Sequence, residues 1–265
     1  MVNAQIYESD PAEISRTNVL GVGVSAVNIP RAVAEIERHI RGRLPGYVCV
    51  TGAHGVMECQ RDERLRRIHN EASLVTPDGM PLVWLSRWHG ARDVTRVYGP
   101  DLMLAFCERS AGQGYRHYFF GGAEGVPERL ADSLGRRFPE LVVAGTCSPP
   151  FRPLSEAEDA ALVDRINRTR PDVVWVGLST PKQERWMAEH RSKLEAPMLI
   201  GVGAAFDFHA GLKAQAPRWI QRSGFEWLFR MLSEPRRLTR RYAYVVPMFS
   251  LLVLSQEMGL RRWRL

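Results

Sequence analysis

The sequence predicts an α/β fold: a mainly parallel sheet flanked by helices, followed by a basic helical C-terminal segment. Three observations point there. Short β-branched runs alternate with helix-like patterns across the first two hundred residues, which implies βαβ units. Nearly every strand-like run is followed by a loop of small or polar residues, as at the carboxyl ends of parallel strands. The charge is also uneven along the chain. Of 36 Lys+Arg and 29 Asp+Glu, eleven basic and three acidic residues lie from Lys213 onward. The tail therefore carries a net +8 and the rest of the chain −1.

Taken in order, Tyr47 to Thr51 reads as a strand and Val56 to Ala72 as one helix with a charged outer face. Leu74 to Thr76 is a short strand and Met80 to Trp88 is helical. A helix with proline at its start runs from Pro100 to Gly112. His117 to Phe120 is a strand, Val126 to Phe138 a helix and Leu141 to Gly145 a strand. Glu156 to Thr169 is a helix begun by Ser155, with Glu158 in the capping-box position. Asp172 to Val176 is a strand, Lys182 to Lys193 a helix and Pro197 to Val202 a strand. In the tail, Trp219 to Met231 reads as one amphipathic helix. The division expected is an α/β core over 1–212 and a basic amphipathic appendage over 213–265.

Composition narrows the function classes. The 45% hydrophobic and 25% charged fractions are those of a soluble globular chain. Met1 to Arg16 is polar and acidic, unlike a signal peptide. The longest apolar run, Tyr242 to Leu254, is broken by Pro247 and Ser250 and is too short to span a bilayer. Cys49, Cys59, Cys107 and Cys147 show no metal-ligand spacing and read as reduced structural thiols of a cytosolic protein. The seven histidines form no metal-binding pattern. A body of −1 excludes a uniformly basic nucleic-acid coat and points to a localised anionic partner.

The loops after the strands supply the candidate site. Asp78, between Pro77 and Gly79, reads either as a helix cap or as a general base facing a cleft. Gly121-Gly122 is either a tight turn or a close approach to phosphate. Pro181, Lys182, Gln183 and Glu184 open a helix whose first turn either meets a diphosphate or is simply solvated. Gly203 and Asp207 follow the last strand, where Asp207 either bonds a ribose or caps backbone NH groups. Gly201-Val202-Gly203 starts like a dinucleotide fingerprint, but Phe206 takes the third glycine position and no ribose-binding acid follows. No P-loop or GxSxG elbow is present.

Several motifs occur in register: Pro77-Asp78-Gly79-Met80-Pro81, Tyr98-Gly99-Pro100-Asp101, Gly121-Gly122, Pro181-Lys182-Gln183-Glu184, Gly201 to Asp207, Ala216-Pro217, and Glu226 to Arg230 with Glu234-Pro235-Arg236-Arg237. Together they resemble the WecG/TagA/CpsF family of bacterial glycosyltransferases, over about Asn18 to Pro247. The resemblance implies a Rossmann-like core with a C-terminal appendage. It implies an inverting transfer from a UDP-sugar, as co-substrate and without a metal cofactor. The acceptor implied is a polyprenyl-diphosphate-linked saccharide at the cytosolic membrane face, in surface or exopolysaccharide synthesis. Carried over by position, Asp78 is the general base, and Thr51 and Gln183 line the pocket. His54, Gly121, Gly122, Pro181, Lys182, Glu184, Gly203, Asp207, Arg236 and Arg237 fall to the donor and its nucleotide. The sequence departs from the family in one place: a Thr-x-Asn pattern would put Asn at Ala53, with His54 beside it.

The tail's aromatics, Trp219, Trp227, Phe229, Tyr242, Tyr244, Phe249 and Trp263, stand among arginines, which suits a segment docked on anionic lipid. Two other readings compete. One is a nicotinamide oxidoreductase on the same fold class. The other is a nucleic-acid module, which the apolar run between the tail's basic clusters disfavours, so no nucleic acid is expected. A homo-oligomer stays open.

Overall fold

The structure, a computed structural model, describes residues 14–265, so nearly all of the polar Met1 to Arg16 stretch lies outside the described residues. A hairpin comes first, β1 (Arg16–Val19) and β2 (Val22–Ser25), paired antiparallel. Its turn residues Leu20 and Gly21 both have positive φ, 52° and 81°, as a two-residue hairpin turn requires. Leu20 is held there by two side chains: its NH donates to Gln256 Oε1 at 2.7 Å and its carbonyl accepts from Gln60 Nε2 at 2.7 Å. Helix α1 (Ile29–Arg41) follows, capped by the Asn28 side chain.

The main sheet holds six described strands: β3 (Gly46–Thr51), β4 (Leu74–Pro77), β5 (Arg116–Gly121), β6 (Val142–Cys147), β7 (Val173–Gly177) and β8 (Met198–Gly201). Their order is β4-β3-β8-β7-β5-β6, and every pair is parallel. The α/β expectation stands, and each expected strand is present. Side chains alternate between the two faces: Tyr47 and Cys49 enter one core cluster, Val48 and Val50 the other. The chain steps from β3 outward to β4, then crosses to β5. The carboxyl ends of β3, β4 and β8 thus meet beside a topological switch point, where ligands bind in open α/β sheets.

The connecting helices are α2 (Ala53–Cys59), α3 (Glu63–Glu71), α4 (Met80–Trp88), α5 (Gly99–Ser110), α6 (Val126–Arg137), α7 (Glu156–Arg168), α8 (Lys182–His190) and α9 (Ala205–His209). The single helix expected over Val56 to Ala72 is two. Asp62 caps α3 by accepting from the Leu65 NH at 3.1 Å, which ends one helix and starts another. The capping box of Ser155 and Glu158 is present. Asp207 lies on the short helix α9 rather than at a strand end.

The tail forms α10 (Arg218–Ser223), α11 (Glu226–Ser233) and α12 (Pro235–Glu257). The helix expected over Trp219 to Met231 is thus broken, at Gly224, whose φ of 83° only glycine adopts freely. Helix α12 continues through Pro247, which forfeits one helical hydrogen bond. Val245 and Phe249 of α12 are buried in the same core cluster as Tyr47 and Cys49. Trp263 donates from Nε1 to Gln60 Oε1 at 2.9 Å, and its carbonyl accepts from Asn18 at 2.8 Å. Trp263 therefore faces the body, not lipid. All four cysteines are free and buried. Among the described residues no helix is long and apolar enough to cross a membrane.

Candidate functional site

A cavity of about 960 Å³ opens over the ends of β3, β4 and β8 and is roofed by the tail. Asp78 sits in its wall. The Asp78 NH donates to Thr51 O at 2.9 Å, which fixes the loop after β4 to the end of β3. Gly79, not Asp78, is the N-cap of α4, and no side chain caps that helix. Asp78 is therefore not spent on a helix end. Its Oδ1 meets Arg96 Nη2 at 3.4 Å, and its side chain keeps 27% exposure, enough to meet a ligand. Burial pushes the Asp78 carboxyl above the usual carboxylate range, against the pull of Arg96 and Arg230.

Arg96 is the hub of this wall. Its Nε donates to the Asp78 carbonyl, its Nη2 pairs with Glu226 Oε2 at 2.6 Å, and its guanidinium lies 4.1 Å over the Tyr98 ring. Glu226 belongs to α11, so Arg96 joins body to tail. Burial also pushes the Glu226 carboxyl up, opposed by Arg96 and reinforced by Asp78. Arg230, one helical turn on, completes a group of two carboxylates and two guanidiniums at the cavity.

Across the cavity stands Gln183, 2% exposed, in the first turn of α8. Its Nε2 donates to Glu184 Oε1 at 3.0 Å, and Glu184 also accepts from Thr180 Oγ1 at 2.8 Å. Gln183 Oε1 has no hydrogen-bond partner among the described residues. A buried amide oxygen left unpaired is costly, and a hydroxyl or NH of a ligand would satisfy it. His54 lines the cavity near the start of α2, with Nε2 3.5 Å from Glu58 Oε1. Burial, then Arg241, Arg230 and Arg61, lower its pKa to about 4, so the ring is neutral at pH 7.

The structure brings Asp78, Gln183, His54, Gly203, Asp207 and Arg237 to one cavity. Asp207 is paired with Lys213 at 3.0 Å and Arg237 with Glu234 at 2.6 Å. Other expected residues do not line it. Thr51 is 2% exposed and turns its hydroxyl to Cys49 O at 3.3 Å, while Val50 lines the cavity instead. Gly121 lets β5 approach β7, where a Cβ would lie 2.7 Å from the Gly177 carbonyl carbon, and a Cβ on Gly122 would lie 3.0 Å from the Val126 side chain. Pro181 caps α8, Lys182 is exposed on its first turn, Glu184 buttresses Gln183, and Arg236 points to solvent. The sequence reading missed Arg96, which no motif marks. Among the described residues no three His, Cys, Asp or Glu side chains converge to hold a metal.

The sequence profile of the glycosyl transferase WecG/TagA/CpsF family matches residues 17–263. Relatives named N-acetylglucosaminyldiphosphoundecaprenol N-acetyl-beta-D-mannosaminyltransferase are similar over most of the chain. The one from Staphylococcus aureus strain MW2 is 29% identical, covering 89% of this chain and 92% of its own. That from Bacillus spizizenii is 27% identical over 76% of this chain and 75% of its own. That from Bacillus subtilis strain 168 is 24% identical over 87% and 88%. The oxidoreductase alternative finds no support in these matches. At the missing third glycine, Phe206 is 1% exposed and its ring packs against Phe119.

Proposed function

Because the chain belongs to the WecG/TagA/CpsF family of glycosyl transferases, we propose that it moves a sugar from a UDP-sugar to a polyprenyl-diphosphate-linked saccharide, with Asp78 as general base. The observation that carries this reading is the Asp78 carboxylate, free of any capping duty and aimed into a cavity rimmed by arginines. Burial raises its pKa, which makes the ionised carboxylate a stronger proton acceptor than an ordinary one. Asp78 takes the proton from the acceptor hydroxyl as that oxygen attacks the anomeric carbon from the face opposite UDP. A single in-line displacement inverts the configuration.

The leaving diphosphate gathers negative charge. Arg230, Arg237 and Arg241 line the cavity and supply the compensating charge without a metal. Gln183 Oε1 accepts from a donor hydroxyl or amide. The relatives' names place their acceptor on a polyprenyl lipid, and the exposed Trp219 and the basic residues of the tail suit peripheral docking on the inner face of the membrane. The test is UDP release with UDP-hexoses and N-acetylglucosaminyl diphosphate lipid. Asp78→Asn should lower the rate by about 10²-fold or more. Activity within a few fold of wild type would overturn the base assignment. No acceptor-dependent UDP release by wild type with any UDP-hexose would overturn the transferase reading.

A further inference from the structure

The cavity is larger and more apolar at one end than a nucleotide sugar explains. Its polar end holds Asp78, Arg96, Gln183 and the tail arginines. Its other end runs between α4 and α12 and is lined by Trp84, Leu85, Trp88, Phe249, Val253 and Leu254. On α12 the cavity face includes a stripe at four-residue spacing, Arg237, Arg241, Val245, Phe249, Val253 and Glu257, cationic at one end and apolar in the middle. On α4 the start beside Asp78 is at the polar end, and Trp84 and Trp88 follow one turn apart. At 1.5 Å rise per residue, Trp88 lies roughly 15 Å along the axis from Asp78. His89 Nε2 meets Glu257 Oε1 at 3.0 Å, so the far ends of the two helices are tied. The walls run side by side from charge to hydrocarbon.

Trp84 and Trp88 remain 51% and 79% exposed, and Leu254 55%. Trp84 leaves room for no side chain opposite: a Cβ on Gly224 would lie 2.6 Å from its ring, so the tail's glycine turn seats this tryptophan. A wall with large exposed indoles open to the cavity is a site for an apolar ligand.

We propose that the α4–α12 groove binds the first isoprene units of the acceptor's polyprenyl chain and makes the enzyme select for that chain. This rests on the transferase reading above. The occupant follows from continuity. An acceptor whose sugar hydroxyl reaches Asp78 extends its own diphosphate away from the base, and its hydrocarbon then enters the groove whose α4 wall begins beside Asp78. The alternative occupant, the acyl region of a bilayer touching two exposed indoles, would recruit the enzyme to membranes without reading the acceptor.

The experiment compares two water-soluble acceptors, N-acetylglucosaminyl diphosphate esterified with a farnesyl or a methyl group, assayed without membranes. Wild type is expected to show a KM for the farnesyl ester at least tenfold below that for the methyl ester, about 1.4 kcal/mol of chain recognition. Trp88→Ala, at a largely exposed site, should cut that ratio several fold, and Val253→Asp should abolish it. Farnesyl diphosphate, but not inorganic diphosphate, should shift the tryptophan emission of wild type to the blue, and less so in Trp88→Ala. Equal KM values for the two esters in wild type would overturn the groove while leaving the transferase reading intact. So would a ratio untouched by both substitutions. Loss of vesicle binding in Trp88→Ala with the ratio preserved would assign the indoles to the bilayer instead. Turnover of neither ester by wild type, with no emission change, would sink both readings.

Discussion

Replacing Arg96 by methionine keeps much of the side chain's length and apolar stem but removes the charge that serves two carboxylates. Arg96 Nη2 lies 2.6 Å from Glu226 and 3.4 Å from Asp78, with the arginine and Glu226 side chains only 15% and 12% exposed. Removing one partner of a buried pair costs about 3–5 kcal/mol, because the other charge stays behind uncompensated. The cavity is open on one side, so the low end, about 3 kcal/mol, applies. For a chain of this size each kcal/mol moves Tm by about 2–4 °C. Arg96→Met should therefore melt roughly 6–12 °C below wild type. Adding Glu226→Gln should recover a sizeable part, since the orphaned charge is then gone. Catalysis gives a second readout. Arg96 and Arg230 hold the Asp78 pKa down against burial. Without Arg96 the carboxyl rises further, and the acid limb of kcat/KM should move up by about 1 pH unit or more. Thermal melts of the three proteins and a pH–rate profile decide it. A single variant within about 2 °C of wild type, a double variant that merely adds two losses, or an unmoved acid limb would each refute the bridging role.

Two further outcomes follow from the site and its scaffold. His54 should stay neutral through the physiological range and titrate near pH 4 by imidazole NMR; as its folded pKa lies below the unfolded value, its protonation lowers stability as pH falls from about 6.5 toward 4. A His54 midpoint near 6.5 would show the ring to be solvated instead. Ser155→Ala breaks a capping box far from the cavity and should cost about 1 kcal/mol, a Tm loss of about 2–4 °C, with kcat and KM retained.

Most of the strands were legible because they are buried on both faces and read as short runs of β-branched, aromatic or other apolar residues. The capping box was legible because its two residues sit at a fixed spacing. What the sequence hid has local causes. The hairpin strands have four residues each, and their turn is Leu20-Gly21, whose strained Leu20 depends on Gln60 and Gln256 from distant segments. Thr51, expected in the pocket, stands at the strand end with its side chain buried. One residue of register moves a side chain across the sheet, so Val50 faces the cavity and Thr51 the layer beneath. Arg236 and Arg237 look equivalent in sequence, yet neighbours on a helix point about 100° apart, and only Arg237 reaches the cavity. Arg96 stands alone in a loop, with partners 18 and 130 residues away, so no local spacing reveals it.

The charges around Asp78 also bear on why the proposed base is roofed by a cationic tail. A carboxylate already raised by burial would rise further when an anionic diphosphate arrives beside it, and a protonated Asp78 cannot accept a proton. Arg230, Arg237 and Arg241 enter the same cavity from α11 and α12 and offset that arriving charge. In the proposed reaction, the cations that would stabilise the departing UDP would thus also keep the base ionised while the donor is bound. Glu226 works on the other side: with Asp78 it offsets the charges of Arg96 and Arg230. The tail's arginines thus divide by position: Arg230, Arg237 and Arg241 stand at the cavity, where the proposed reaction needs cations, while Arg236 and Arg240 are exposed outside it.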